Sequence, residues 1–439
     1  MRALRRGLAL MLALALAISM AGCGAGAKEP QADPGQASQD GGGAEGSGEE
    51  ISMDDLNVRN TGFGGFADEF AAYVEAAGYA QENYMISPTS FRAALALAIA
   101  GADGETKEQL LKAAGFADEE EMYAWYRGVS AAIERFAEDL ELQKERFERD
   151  RQWLGPDAKA PDGAFRIANS FWKNAAYEGS LVPGYKAKIE GELGAGAFEA
   201  SPEEITGQVN RWVDEATNGM IPAIASDLSK SCAVLVNALY LRSSWIDEFS
   251  KFGTEPGDFI CADGSKVQKD FMNARRDTLY YEDEGCKLVI LPMRGGVDAV
   301  FVLGSAEDLA AKMDAAEYTQ VRIMLPKFEI ESSFSAGELP ALLKLRGAEL
   351  PFDPNGRADF SAMIEGGELW YISDIIQKSK IRLDEDGIEA AAVTAMMMAA
   401  GAAMPPEDPK EFIADRPFSF FLITDGEAPE LLFSGQLVK

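Results

Sequence analysis

The chain has 439 residues, 47% of them apolar, enough for a substantial core in one large domain or in two to three average ones. Its 72 acidic and 41 basic residues leave a net charge of −31, which argues against nucleic-acid backbones and anionic membrane surfaces as partners. It contains no histidine, so histidine-based catalytic triads and histidine metal ligands are excluded.

At the N-terminus, Arg2, Arg5 and Arg6 precede an apolar stretch over 8–20, the pattern of an export signal over 1–22. Ala21-Gly22-Cys23 resembles a bacterial lipobox with Met20 in place of the usual leucine, which makes Cys23 the expected lipidated first residue. An ordinary secretory signal that happens to contain a cysteine is the alternative. Residues 23–52, rich in Gly, Ser, Gln and Glu, read as a flexible tether, and 53–439 as the folded domain. Two acyl chains on Cys23 would suffice for stable anchoring, so the body is expected on the outer face of a bacterial membrane, or secreted. Lipid is then its only contact with the membrane.

Helical periodicity runs over about 67–115: Phe66, Phe70, Tyr73 and Val74 recur at helix spacing, and Ser87-Pro88 opens a second helix through 94–99. Residues 119–151 are highly charged and helix-favouring, with 146–151 read as a solvated helical extension. Segments 165–173 and 233–241 read as strands, and 288–292 with 299–303 as a hairpin around Arg294-Gly295-Gly296. Helices gather early and strands late, so the class is α+β. Cys232, Cys261 and Cys286 lack metal-site pairing and are expected to be mostly buried thiols. No metal or cofactor is expected.

The most unusual stretch is Glu385-Asp386-Gly387-Ile388-Glu389-Ala390-Ala391-Ala392-Val393-Thr394, which leads into an uncharged run over 390–404 made mostly of Ala and Met. That run is too short to span a bilayer. On composition alone it suits a buried Ala/Met helix. It also suits a small-residue segment that must at some moment enter a crowded sheet interior.

The sequence around it resembles the serpins, the serine protease inhibitor family, from about residue 56 onward. Ile86-Ser87-Pro88-Thr89-Ser90 with Gly101-Ala102-Asp103-Gly104-Glu105-Thr106 is similar to a family signature. So, in order, are Ile167-Ala168-Asn169-Ser170-Phe171, Val209-Asn210-Arg211-Trp212, Leu235-Val236-Asn237-Ala238, Trp245, Leu325-Pro326-Lys327-Phe328 and Ile372-Ser373-Asp374. Arg416-Pro417-Phe418 and Leu432-Phe433-Ser434-Gly435 resemble the family's final strands.

This resemblance implies an α+β serpin fold, with helices around three β-sheets and an exposed reactive loop at about 385–411. The protein would then be no enzyme but a monomeric inhibitor that traps a serine protease covalently: the cleaved loop inserts into a sheet before its ester to the protease is hydrolysed. The implied hinge is Glu385, Gly387, Ile388, Glu389, Ala390, Ala391, Ala392, Val393 and Thr394. Glycine lets the backbone swivel, alanines thread easily, and β-branched residues suit a strand once inside. Ile388 stands where a small Thr or Ser is usual. The implied polar network at the sheet's opening region comprises Ser87, Ser90 and Asn210, with Gln377 in a histidine's place, and Trp245 lies at the sheet's top. Counting from Gly387 puts the scissile bond after Gly401; counting from Pro405-Pro406 puts it after Ala402, with Ala400 and Ala403 adjacent. Small residues there suit elastase-like pockets, while Met398 and Met404 leave room for chymotrypsin- or subtilisin-like enzymes. A non-inhibitory serpin, acting as a plain substrate or a binding protein, is the alternative. A Ser–Lys hydrolase is disfavoured because no nucleophile motif appears.

Overall fold

A computed structural model describes residues 51–153, 160–334, 337–366, 370–388, 409–426 and 428–439. The helices are α1 (Gly65–Ala76), α2 (Pro88–Gly101), α3 (Gly104–Ala114), α4 (Glu119–Asp150), α5 (Pro183–Glu192), α6 (Ile205–Ala216), α7 (Leu309–Asp314) and α8 (Glu338–Leu345). The first strands are β1 (Tyr84–Ile86), β2 (Ala164–Asn174), β3 (Ser180–Leu181), β4 (Gly196–Ala200), β5 (Ala233–Ser244) and β6 (Glu255–Ile260). Then come β7 (Lys266–Glu282), β8 (Cys286–Met293), β9 (Val297–Gly304), β10 (Glu317–Pro326), β11 (Phe328–Phe334) and β12 (Ile364–Glu365). The last are β13 (Asp374–Asp384), β14 (Gly387–Ile388), β15 (Lys410–Ile413), β16 (Phe418–Thr424) and β17 (Leu431–Leu437).

Local chemistry explains the helix boundaries. Ser87 caps α2, its side chain accepting from the Ser90 amide, with Pro88 in the first turn where its missing N–H costs nothing. Asp118 caps α4, and three glutamates in the first turn face the positive end of the helix dipole. In α4 the buried residues Met122, Tyr126, Val129, Ala132, Phe136 and Leu140 form one stripe at helical spacing. No residue after Leu140 is buried, so the outer part of α4 is the solvated extension that its charge pattern predicts.

Among the described residues the strands form three sheets. One has nine strands, ordered β1-β17-β16-β9-β8-β7-β10-β15 with β6 on β7; one has six, ordered β11-β13-β14-β5-β2-β4; a ribbon pairs β12 with β3. The segments expected as strands at 165–173 and 233–241 fall within β2 and β5, and the expected hairpin is β8–β9. Every residue of β5 is buried except half-buried Arg242, as expected of a strand covered on both faces. Its Val234 and Val236 pack with Val209 and Val213 of α6, while Leu239 and Leu241 join the core shared with the nine-stranded sheet. Gly46–Lys439 form one compact unit. Cys232, Cys261 and Cys286 are buried free thiols, as expected, and burial pushes the Cys232 thiol up to about 11.

A split sheet with the loop base at its top

The six-stranded sheet is divided down its middle. β5 and β13 run parallel and pair only from Asp374↔Val234 to Gln377↔Asn237. Beyond that pair they separate, and β14 occupies the space between their far ends. The chain reverses at Glu385-Asp386, so β14 is antiparallel to β13 (Leu383↔Ile388, Asp384↔Gly387) and to β5 (Gly387↔Ser244, Ile388↔Ser243). Between the lower pairs and this plug, residues 238–242 of β5 and 378–382 of β13 have no pairing with each other.

Gly387 has φ +142°, and a Cβ there would lie 2.3 Å from the Ser243 carbonyl oxygen and 2.7 Å from Ser244 Cα. Only glycine fits both the conformation and the space. Ile388 is 1% exposed and belongs to the apolar cluster of Leu239, Leu241, Ile381 and Leu383. The position at which a small Thr or Ser is usual is therefore already inside the sheet.

The two acids before Gly387 are gripped rather than solvated. Glu385 accepts from Thr254 Oγ1 at 2.7 Å and pairs with Lys327 at 2.9 Å. Burial raises its carboxyl, but Lys327 and Thr254 outweigh that and hold it below the usual range. Asp386 pairs with Lys251 at 2.9 Å, a bond that raises the lysine. Trp245, fully buried, donates its indole N–H to the Asp384 carbonyl at 2.9 Å and its backbone N–H to the Asp386 carbonyl at 3.2 Å. These two bonds place it against the turn that leads into β14.

A buried polar network lies where the paired half of the sheet ends. Ser90 Oγ donates to Asn237 Oδ1 at 2.6 Å, and Asn237 Nδ2 donates to the Ser90 carbonyl at 2.7 Å and to Asn169. Gln377 donates to the Ser87 carbonyl at 3.1 Å and accepts from the Ser87 amide at 3.3 Å. Ser87 Oγ donates to the Leu432 carbonyl at 2.7 Å, tying the network to β17. Thus Ser87, Ser90 and Gln377 come together, and with no histidine among them the network does not titrate near neutral pH. Asn210 is not part of it. Its side chain accepts from the Ile224 and Ala225 amides at 2.9 and 3.0 Å and donates to the Ala225 carbonyl, so it fastens the loop after α6. The asparagines in the network are Asn237 and Asn169. Asn237 carries a readable signal, a lone amide in an apolar strand, because a buried amide needs partners. Cys23 and the remaining candidates, Glu389, Ala390, Ala391, Ala392, Val393, Thr394 and 400–403, lie outside the described residues.

Residues of α4 and of the β8–β9 turn line a pocket of ≈ 460 Å³. Arg135, Asp139, Gln143, Arg146, Arg294, Asp298 and Asp425 line it. Burial and then the neighbouring Asp425 push Asp298 up to about 6. A carboxyl raised by folding disfavours the fold as the pH rises, so its cost builds from the ordinary carboxylate range up to about 6, is full above that and is absent below the ordinary range. Asp298→Asn is expected to stabilise the protein at pH 7.5, by at most about 3 kcal/mol, and to change little at about pH 3. Urea unfolding at the two pH values checks this; equal effects at both would refute it.

A family model described as Serpin (serine protease inhibitor) matches residues 65–439. Serpin-Z1A of Triticum aestivum is 31% identical over 390 residues, covering 82% of this chain and 90% of that protein. The crystal structure of tengpin, a thermophilic serpin in its native state, matches with TM-score 0.66 and 27% identity over 82% of this chain and 89% of that one. Human thyroxine-binding globulin complexed with its hormone matches with TM-score 0.67 over 87% of this chain and 96% of that one. At 19% identity, this last likeness concerns the fold alone.

Proposed function

Because the chain belongs to the serpin family, we propose that it inhibits serine proteases of elastase-like or subtilisin-like specificity as a suicide substrate. Serpins are in general inhibitors rather than catalysts, so here the target supplies the chemistry. Its serine attacks the scissile carbonyl after Gly401 or Ala402, the amine leaves with the C-terminal segment, and an ester holds the protease to the loop. The freed loop then inserts between β5 and β13.

The divided sheet with the loop base already at its top is the observation that carries this reading. β14 enters antiparallel to both neighbours, so an extension of it would run down between the unpaired stretches 238–242 and 378–382. Each backbone bond gained there adds roughly 1 kcal/mol and each buried apolar side chain somewhat more. Over a strand's length, those gains supply a driving force for trapping. The lipobox-like Ala21-Gly22-Cys23 and the tether behind it support placing this inhibitor, as a lipoprotein, on the outer face of a bacterial membrane.

The test is to mix the Gly46–Lys439 body with an elastase, and separately with a subtilisin, and resolve the products on a denaturing gel. A band near the summed masses, resistant to denaturant, is expected, and the mass of the released C-terminal peptide locates the scissile bond. Complete cleavage without that band, with protease activity intact, would leave the non-inhibitory reading as the better account. Ile388, bulkier than the usual residue at its position, favours that second reading.

A further inference from the structure

A continuous set of bonds joins the long helix α4 to the loop base. Asp139 accepts from the Gly295 amide at 2.9 Å, and Gln143 accepts from the Arg294 guanidinium at 3.1 Å while donating to Asp139. The Phe136 ring closes the contact: a Cβ on Gly295 would lie 2.2 Å from it, so the turn packs glycine-close against the helix. On the turn's other side, the Arg294 carbonyl accepts from Ser243 Oγ at 2.7 Å, and the Arg294 amide donates to the Ser244 carbonyl at 2.9 Å. Ser243 and Ser244 are the residues that pair with Ile388 and Gly387.

These bonds cross a boundary that must move. A full-length strand can enter only if β5 parts from β13 along the four pairs that still join them. β5 carries β2 in register from Ala233 to Arg242, and α4 packs on β2 through Phe136 against Phe165, ring centroids 5.9 Å apart. The β8–β9 turn belongs to the nine-stranded sheet instead. Opening the six-stranded sheet therefore shears α4 past this turn, as packed layers slide in other switching proteins. Bonds across the shear plane resist it.

We propose that Asp139 and Gln143 are positioning residues for loop insertion: they latch α4 to Arg294 and Gly295, and so keep the intact chain from inserting its own loop. The proposal rests on the insertion step of the function above. It assigns a role to Asp139 and Gln143, which the sequence presents only as part of a highly charged helix over 119–151.

The test needs no target protease. The Gly46–Lys439 body, its Asp139→Ala/Gln143→Ala variant and an exposed-face control, Glu138→Gln, are held intact at raised temperature, and the fraction that becomes resistant to unfolding in urea is followed in time. The double variant is expected to convert about tenfold faster than the native sequence, and the control at the native rate. A second measurement guards against a simple loss of helix stability. Each protein is cut within 389–408 by a trace of subtilisin and then melted. With the loop already inserted, all three should melt alike, whereas the intact double variant should melt lower. Conversion at equal rates, or equal lowering of intact and cut forms, overturns the latch while leaving insertion standing. If no protein becomes urea-resistant, cut or intact, the latch falls together with the insertion reading.

Discussion

Gly387→Val is expected to expel the loop base from the six-stranded sheet. A β-branched residue at φ +142° is strained in itself, and its Cβ would lie 2.3 Å from the Ser243 carbonyl oxygen and 2.7 Å from Ser244 Cα. Both atoms are backbone within a buried strand, so no rotamer change relieves the contact. The alternative open to the protein is to give up the Gly387 and Ile388 pairings and the burial of Ile388, at roughly 3–5 kcal/mol in all. Losing β14 would break the connection from Trp245 to Asp384 and Asp386. Amide exchange at Ser243, Ser244 and Ile388 should accelerate by about 100-fold or more, and Trp245 emission should move to longer wavelength. Native exchange rates in the variant would mean that β14 is not docked in solution.

Much of this site is readable in the sequence because it rests on residue types with few substitutes. Glycine before a run of small residues, a serine–proline helix start, and alternating strands such as 165–173 each have one main physical explanation. What could not be read depends on which distant residues meet. Asn210 and Asn237 both sit in motifs that resemble the family, and only the sheet register places Asn237 opposite Gln377 and leaves Asn210 on α6. In the sequence Glu385 and Asp386 only open the unusual stretch that leads into the small-residue run. Their partners Lys327, Thr254 and Lys251 lie 58, 131 and 135 residues earlier, and nothing in their spacing announces the pairing. Gly295 and Arg294 read as a hairpin turn, which they are; that the turn also meets α4 and β5 follows from the stacking of two sheets, which no local pattern encodes. Ile388 shows the same limit. The sequence makes it an oddly large residue in a hinge, whereas the structure makes it a core residue before any cleavage.

That burial sets up the sharper test of function, in which Ile388→Asp is expected to turn a trap into a substrate. The side chain lies between β5 and β13 at 1% exposure, in an apolar cluster with Leu239, Leu241, Ile381 and Leu383. Asp384, Glu385 and Asp386 already load the turn with acids, and Lys251 and Lys327 are committed to two of them. Burying an unpaired charge there costs several kcal/mol, and insertion requires it at the first step. Trapping is a race between insertion and hydrolysis of the ester, and each 1.4 kcal/mol added to the insertion barrier slows that branch about tenfold. A penalty of only about 3–4 kcal/mol would lower insertion by several hundredfold and let hydrolysis win. The covalent band should vanish while the loop is still cut at the same bond and the protease stays active. Ile388→Thr separates this cause from any general fragility of the hinge. Threonine keeps the β-branched shape, loses about 1–2 kcal/mol of apolar burial and brings no charge, so it should still trap. Undiminished trapping by Ile388→Asp would show that this residue never enters the sheet on the inhibitory path, and the pairing of β14 would then describe a resting contact that cleavage dissolves.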